Sequence, residues 1–306
     1  MSAILLSEQL LNGVQLGVML FLMAAGLTLV FGIMDMINLA HGSFYMLGAY
    51  FTATFAALFG SFVLAVLAAL PLAALCGLAL EFLALRGLYR RNHLDQVLAT
   101  FGLILFFNEF VRIVWGPSPI FLQPPAALAG TVEILPGVPY PAYRLAIVAV
   151  GIAVAGFLWW LISRTRVGML IRAGASNREM ATALGVDITR LYTLVFGLGC
   201  GLAALAGAMA GPILAVKVGM GEDILILTFV VIVIGGIGSV RGALVAALLV
   251  GVVDTFGRAL LPGLFRLFLP PNLADGAGGA LASMAVYIVM AVVLVLRPRG
   301  LFPAHG

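Results

Sequence analysis

The side chains able to do chemistry are few, and their spacing removes most chemistries at once. His41, His93 and His305 are dispersed, and Cys76 and Cys200 sit singly inside apolar runs, so neither a metal-ligand set nor a disulfide framework is expected. No G-x-S-x-G nucleophile turn occurs. No G-x-x-x-x-G-K-[ST] loop occurs either, and the sole lysine, Lys217, is followed by Val218, so ATP hydrolysis through a P-loop is excluded. The run VVIVIGGIGSVRG (230–242), with Asp254 sixteen residues past Gly238, imitates the strand and glycine turn of a dinucleotide site. That fingerprint needs a βαβ unit in water, whereas here the apolar run resumes at Ala243, giving two membrane segments joined by a glycine hinge. No catalytic residue, metal or cofactor is therefore expected.

What remains is polar chemistry set in apolar surroundings. Asn38, His41 and Ser43 interrupt the segment INLAHGSFYMLGAY (37–50), and Gly42 beside them lets the backbone unwind. Lipid tolerates such a break only where the freed N–H and C=O groups line a cavity. A second interruption, GGIGS (235–239) with Gly235, Gly236 and Gly238, lies in the other half of the chain. Paired breaks in two halves point to a solute route at the repeat interface; hinge or packing glycines are the competing reading. Glu109 with Arg112 and Asp254 with Arg258 share helix faces at three- and four-residue spacing, which reads as structural pairing, while Asp35 and Glu81 read as interfacial. Within 164–190, SNRE (176–179) forms a capping box, Ser176 bonding the Glu179 amide and Glu179 returning to the Ser176 amide. Met180, Ala181, Ala183 and Leu184 follow, and Gly185 can end the turn in the left-handed conformation. A helix of about eight residues has no core of its own, so it should dock on a partner.

The elements that position these residues follow from composition. Of 306 residues, 63% are apolar and 9% charged, with a mean hydropathy of +1.20. A soluble globule could not cover so much apolar surface, so the lipid bilayer is the solvent for most of the chain, and the 37 glycines fit closely packed membrane helices rather than disorder. Apolar runs long enough to span fall at about 10–34, 36–58, 62–85, 95–115, 144–163, 190–215, 223–240, 242–261 and 280–296. The N-terminal stretch has Glu8 and no basic residue before the first run, unlike a cleaved signal peptide. The segments 86–93, 164–190 and 297–306 hold ten of the fifteen arginines, so they are cytoplasmic by the positive-inside rule. The loop 116–143 holds seven of the 14 prolines and no basic residue, and is external. The C-terminus is therefore inside. If the polar stretch 32–48 crosses, there are nine spans and the N-terminus is outside; if it re-enters, there are eight and it is inside. Crossing is the preferred reading. The basic excess of +4 is gathered into loops and flanks and gives no nucleic-acid patch.

The Glu179-Met180-Ala181…Gly185 spacing resembles the E-A-A-x3-G cytoplasmic coupling motif of ABC importer permeases, with Met at the second position and the distal Ile absent. Beside it, GLTLVFGIMDMINLAHGSFYMLGAY (26–50), RTRVGMLIRAGASNREMATALGV (164–186), GGIGSVRGALVAALLVG (235–251) and VLRPRGLF (295–302) look like the LivH-type permease of high-affinity branched-chain amino-acid transport, from about residue 10 to 302. The resemblance implies an all-α polytopic membrane protein with broken helices, eight or nine spans and a single permease domain over 1–306. It implies a bacterial inner-membrane subunit paired with a LivM-type permease, two cytoplasmic ATPases of the LivG and LivF type and a periplasmic substrate-binding protein. Ser176, Glu179, Ala181 and Gly185 would then couple to the ATPases, while Asn38, His41, Gly42, Ser43, Gly235, Gly236 and Gly238 line the route. Leucine, isoleucine and valine are the default substrates. Urea, short amides or other amino acids are the alternative, and an ion-coupled secondary transporter the rival class.

Overall fold

The computed structural model describes residues 3–89, 91–135 and 138–302, so His305 and Arg90 lie outside the described residues. The fold is all-α and polytopic. Its helices are α1 (Ala3–Met34), α2 (His41–Phe59), α3 (Phe62–Leu83), α4 (His93–Trp115), α5 (Ala142–Arg164), α6 (Arg166–Ser176), α7 (Arg178–Ala183), α8 (Ile188–Ala210), α9 (Met220–Gly235), α10 (Val240–Phe265) and α11 (Pro271–Leu296). Eight of them (α1–α5, α8, α10 and α11) are long and apolar enough to cross a bilayer. The helices α1, α2 and α8 are mostly buried and form an inner layer, around which α3, α4, α5, α10 and α11 turn much of their surface outward. All-round apolar character does not by itself place a helix inside, since α3 and α5 share it with α1 yet face outward; contact with α8 and α10 buries α1.

Starts and stops follow local chemistry. Ser61, Asn92, Asp187 and Ser239 each accept a backbone N–H three residues on, capping α3, α4, α8 and α10. The expected span at 36–58 begins only at His41, because the chain leaves α1 at Asp35, whose φ of 50° is left-handed, and stays non-helical to Ala40. The expected span 190–215 stops at Ala210. The segment expected at 223–240 is the 16-residue α9, about 24 Å long at 1.5 Å per residue.

The proline-rich loop is more structured than its composition suggests. It holds a hairpin of β1 (Thr131–Leu135) and antiparallel β2 (Val138–Pro141), and Ile120 bridges Val216 in the 211–219 turn. Asn12 of α1 accepts hydrogen bonds from the Tyr140 hydroxyl (3.1 Å) and Arg144 (2.5 Å), so α1 begins on the hairpin side. At the other end, the Leu301 and Phe302 amides donate to the Ile234 and Gly235 carbonyls at 2.8 and 3.0 Å. Gly235 closes α9 near Gly238, and a Cβ on Gly32 of α1 would sit 2.7 Å from Gly238. The two ends of the described chain thus lie at opposite ends of the bundle, and among the described residues eight helices are long and apolar enough to span, with the shorter α9 between α8 and α10.

Small residues carry the packing, as expected where lipid supplies no hydrophobic drive. Cβ atoms placed on Gly13 and Gly17 would stand 2.9 and 2.8 Å from the α10 backbone. Gly26 faces the Gly199 carbonyl of α8 at 2.7 Å by the same measure, Gly48 abuts Ala204, and Gly207 abuts the Tyr45 carbonyl.

Candidate functional site

The arginine-rich segment folds as two short helices. Thr165 starts α6 by accepting the Gly168 N–H at 3.0 Å, and Gly168, Ile171 and Gly174 form its buried face. Ser176 is the last residue of α6 and cannot also be the extended residue that opens the next helix. The capping box expected at Ser176 is therefore displaced: Asn177 (φ −152°, ψ 101°) caps α7, its side chain accepting the Met180 N–H at 2.9 Å. The helix is six residues long rather than eight. Its end is as the sequence suggests, because Gly185 has φ 87°, its N–H bonds the Thr182 carbonyl (2.9 Å), and the Val186 N–H bonds the Ala181 carbonyl (3.0 Å).

Two faces of α7 differ. Ala181 is turned into the subunit at 3% exposure, while Met180 (58%) and Leu184 (78%), four residues apart, stand out beside the exposed Glu179. On the inner side, Arg178 makes a long hydrogen bond to the Met34 carbonyl (3.5 Å) and stacks 5.6 Å over the Tyr192 ring. Thus α7 is attached both to the end of α1, where the Asp35–Ala40 break begins, and to the first turns of α8.

Of the expected interruption only Asn38 lies in the break; His41, Gly42 and Ser43 form the first turn of α2, so the backbone does not unwind at Gly42, and Asn38, His41 and Ser43 are all buried. The Asn38 amide oxygen and nitrogen have no hydrogen-bond partner among the described residues. The His41 ring lies against α1, where a Cβ on Gly26 would be 3.1 Å from Nε2. Gly42 abuts Gly221, so the N-termini of α2 and α9 converge. The structure does not bring Gly235, Gly236 and Gly238 to this point. Gly235 is about 21 Å along α9 from Gly221. It accepts the tail, and Gly236 (φ 101°) packs on the Phe302 and Arg299 carbonyls. The pairing of two glycine interruptions is corrected: the counterpart of Gly42 is Gly221, at the start of α9 rather than its end.

Sequence reasoning missed one further polar contact and misplaced another group. Asn108 of α4 donates to Glu222 in the first turn of α9, next to Gly42 and Ser43. The acidic first turn Glu222-Asp223 was the available signal, since carboxylates favour helix N-termini. Glu81 is the second, and its interfacial reading is corrected: its side chain is fully buried. It accepts from Arg86 Nε (3.1 Å), Tyr89 Oη (2.5 Å) and Thr193 Oγ1 (2.9 Å), and Arg86 also donates to Thr193 at 3.0 Å. Burial, and then the Glu81 carboxylate, hold the Tyr89 phenol well above the ordinary tyrosine range. The other ion pairs are as spaced: Glu109–Arg112 is exposed, and Asp254, buried, holds Arg258 at 2.9 Å.

A polytopic helical membrane protein with broken inner helices and a short helix presented on one face has the architecture of a transport permease. The comparisons make the class specific. A family model described as "Branched-chain amino acid transport system / permease component" matches residues 9–296, and the chain belongs to that family. It is 31% identical to the high-affinity branched-chain amino acid transport system permease protein BraD of Pseudomonas aeruginosa, over 96% of this chain and 94% of that one. It is 30% identical to the corresponding LivH of Escherichia coli K12, over 83% and 86%. A more distant relative is the ribose import permease protein RbsC of Escherichia coli, 28% identical over 76% and 72%. No solved structure matches.

Proposed function

We propose that this chain is the inner-membrane permease subunit through which leucine, isoleucine or valine enters the cell, without an ATPase site of its own. A LivM-type permease, two ATPases of the LivG and LivF type and a periplasmic binding protein complete the importer. The arginine-rich face carrying α6, α7 and the C-terminal tail is cytoplasmic, and the hairpin face is external. One observation carries this reading: α7 presents Glu179, Met180 and Leu184 outward while Arg178 ties its inner side to Met34 and Tyr192. An ATPase seated on the outer face would push, through Arg178, on the break between α1 and α2 and on α8 at once. Ala181 packs beneath the contact, Gly185 closes the helix, and Ser176 joins it to α6. When the helices part, the buried polar groups Asn38, His41 and Ser43 become the wall past which the solute moves, with Gly42 as the point of opening.

The test is reconstitution with the partner subunits. Glu179→Arg is expected to abolish co-purification of the ATPases and ATP-driven uptake of labelled leucine. Uptake by the isolated chain down a proton or sodium gradient, with no ATPase present, would overturn the proposal.

A further inference from the structure

A cavity of about 820 Å³ lies between α1, α5, α6 and the start of α10, and none of its lining belongs to the Asn38–Ser43 segment. Its lining carries both chemistries. Phe21, Leu29, Ile33, Trp159, Ile162 and Leu244 are apolar. Arg172 of α6, Arg241 of α10 and Ser239, the residue that caps α10, are polar. Both guanidiniums are exposed, and neither has an ion pair among the described residues. The Thr28 hydroxyl, fully buried on the α1 wall, has no hydrogen-bond partner among them either. The 26-residue α10 begins at this cavity with its positive dipole end.

The depth of the cavity is marked by α5. Trp159, half exposed, lines it, Trp160 beside it is also half exposed, and Arg164 stacks 5.9 Å over the Trp159 ring before the chain turns into the arginine-rich segment. Exposed tryptophans followed by arginines mark a membrane–water interface. The end of the cavity at Ser239 and Arg241, which Gly32 of α1 approaches, therefore sits at headgroup level, and Phe21, about 16 Å along α1 from Gly32, reaches acyl-chain depth. A free inorganic anion would satisfy the two arginines and leave the apolar lining bare, whereas an amphiphile satisfies both.

We propose that this cavity binds an anionic phospholipid, its phosphate held between Arg172 and Arg241 against the first turn of α10 and an acyl chain laid along Trp159, Ile162 and Leu244. Basic pockets between membrane helices on the cytoplasmic side suit such headgroups. Because α6 leads through Asn177 into α7, a lipid seated here braces the helix that carries α7 against α1 and α10.

The experiment is native mass spectrometry of the full-length chain released from detergent, with phosphatidylglycerol, phosphatidylcholine and inorganic phosphate as probes. Phosphatidylglycerol is expected to be retained roughly tenfold better than phosphatidylcholine, and the double variant Arg172→Gln/Arg241→Gln to lose about that factor. Arg190→Gln, on an arginine already paired with Asp187, is the control and should retain the lipid as the parent does. Should the double variant melt lower than the parent, each single variant, expected to lose severalfold, serves in its place. Equal retention of both lipids, or undiminished phosphatidylglycerol on the arginine variants, would overturn the proposal. Displacement of the lipid by millimolar phosphate would mark a free-anion site, and displacement by leucine a solute vestibule; either outcome rejects the lipid as occupant.

Discussion

Replacing Glu81 tests whether a buried charge locks α3 to α8. The carboxylate has no solvent contact and accepts from three side chains, two of them on the turn after α3 and one, Thr193, in the second turn of α8. In Glu81→Ala, Arg86 loses its counter-charge and the Tyr89 hydroxyl its acceptor. Breaking a buried pair from one side costs about 3–5 kcal/mol. Arg86 is 36% exposed, so water recovers part of its charge and the lower end, about 3 kcal/mol, is the expected loss. Glu81→Gln keeps the volume and one acceptor oxygen, exchanging charged hydrogen bonds for neutral ones, and should cost about 1–2 kcal/mol. Glu109→Gln, from an exposed pair, should cost less than about 1 kcal/mol. The assay is reversible unfolding in mixed micelles, followed by tryptophan fluorescence, with an Arg86→Ala double-mutant cycle. If Glu81→Ala cost no more than Glu109→Gln, or if the two Glu81 and Arg86 losses simply added, the lock would not exist.

Three further outcomes are expected. Gly26→Val drives a side chain into the Gly199 carbonyl, a backbone group that cannot rotate away, and should cost about 1–3 kcal/mol in the same unfolding assay. Gly185→Val meets no steric neighbour but must hold φ near 87°, so about 1–2 kcal/mol of strain falls on the end of α7, read as faster hydrogen exchange of the Gly185 and Val186 amides and weaker ATPase binding. The folded protein holds the Tyr89 phenol neutral above the pH at which an unfolded tyrosine ionises; the unfolded chain then binds fewer protons, and stability falls as pH rises beyond about 10. Tyr89→Phe should flatten that alkaline decline, and an unchanged slope would show that the phenol ionises normally.

The spans were legible because apolar runs in lipid have few other uses, and Gly185 because only one backbone geometry ends α7 with both carbonyls satisfied. Ser176 misled because a capping box looks the same whether or not its first residue already belongs to a helix; α6 decides that, and its small buried face of Gly168, Ile171 and Gly174 carries little hydrophobic signal. Glu81 looked interfacial because its position near a span end was visible, whereas Thr193, 112 residues away, was not. The error over GGIGS has the same root. Glycine pairs advertise close approach but not to what, and Phe302 of the tail that covers Gly235 lies 67 residues further on.

The pattern of close approaches explains why the break at Asp35–Ala40 and the start of α9 belong together. Helix α1 packs along α10, and α3 along α8; α1 also meets α8, and α2 meets α9. Exchanging α1–α2–α3 with α8–α9–α10 maps this set of contacts onto itself, the relation expected of two repeats about a pseudo-two-fold axis. Elements on such an axis touch their own counterparts, and the nearest approaches there are glycine on glycine: Gly26 with Gly199 and Gly42 with Gly221. At the second of these, the positive ends of α2 and α9 converge beside Ser43, Asn108 and Glu222. The glycine contacts carry no interlocking side chains, whereas Glu81 ties α3 of one half to α8 of the other and pins the two halves at that point. On the coupling role proposed for α7, a push delivered through Arg178 would reach the end of α1 and the start of α8, the two helices that meet at Gly26 and Gly199.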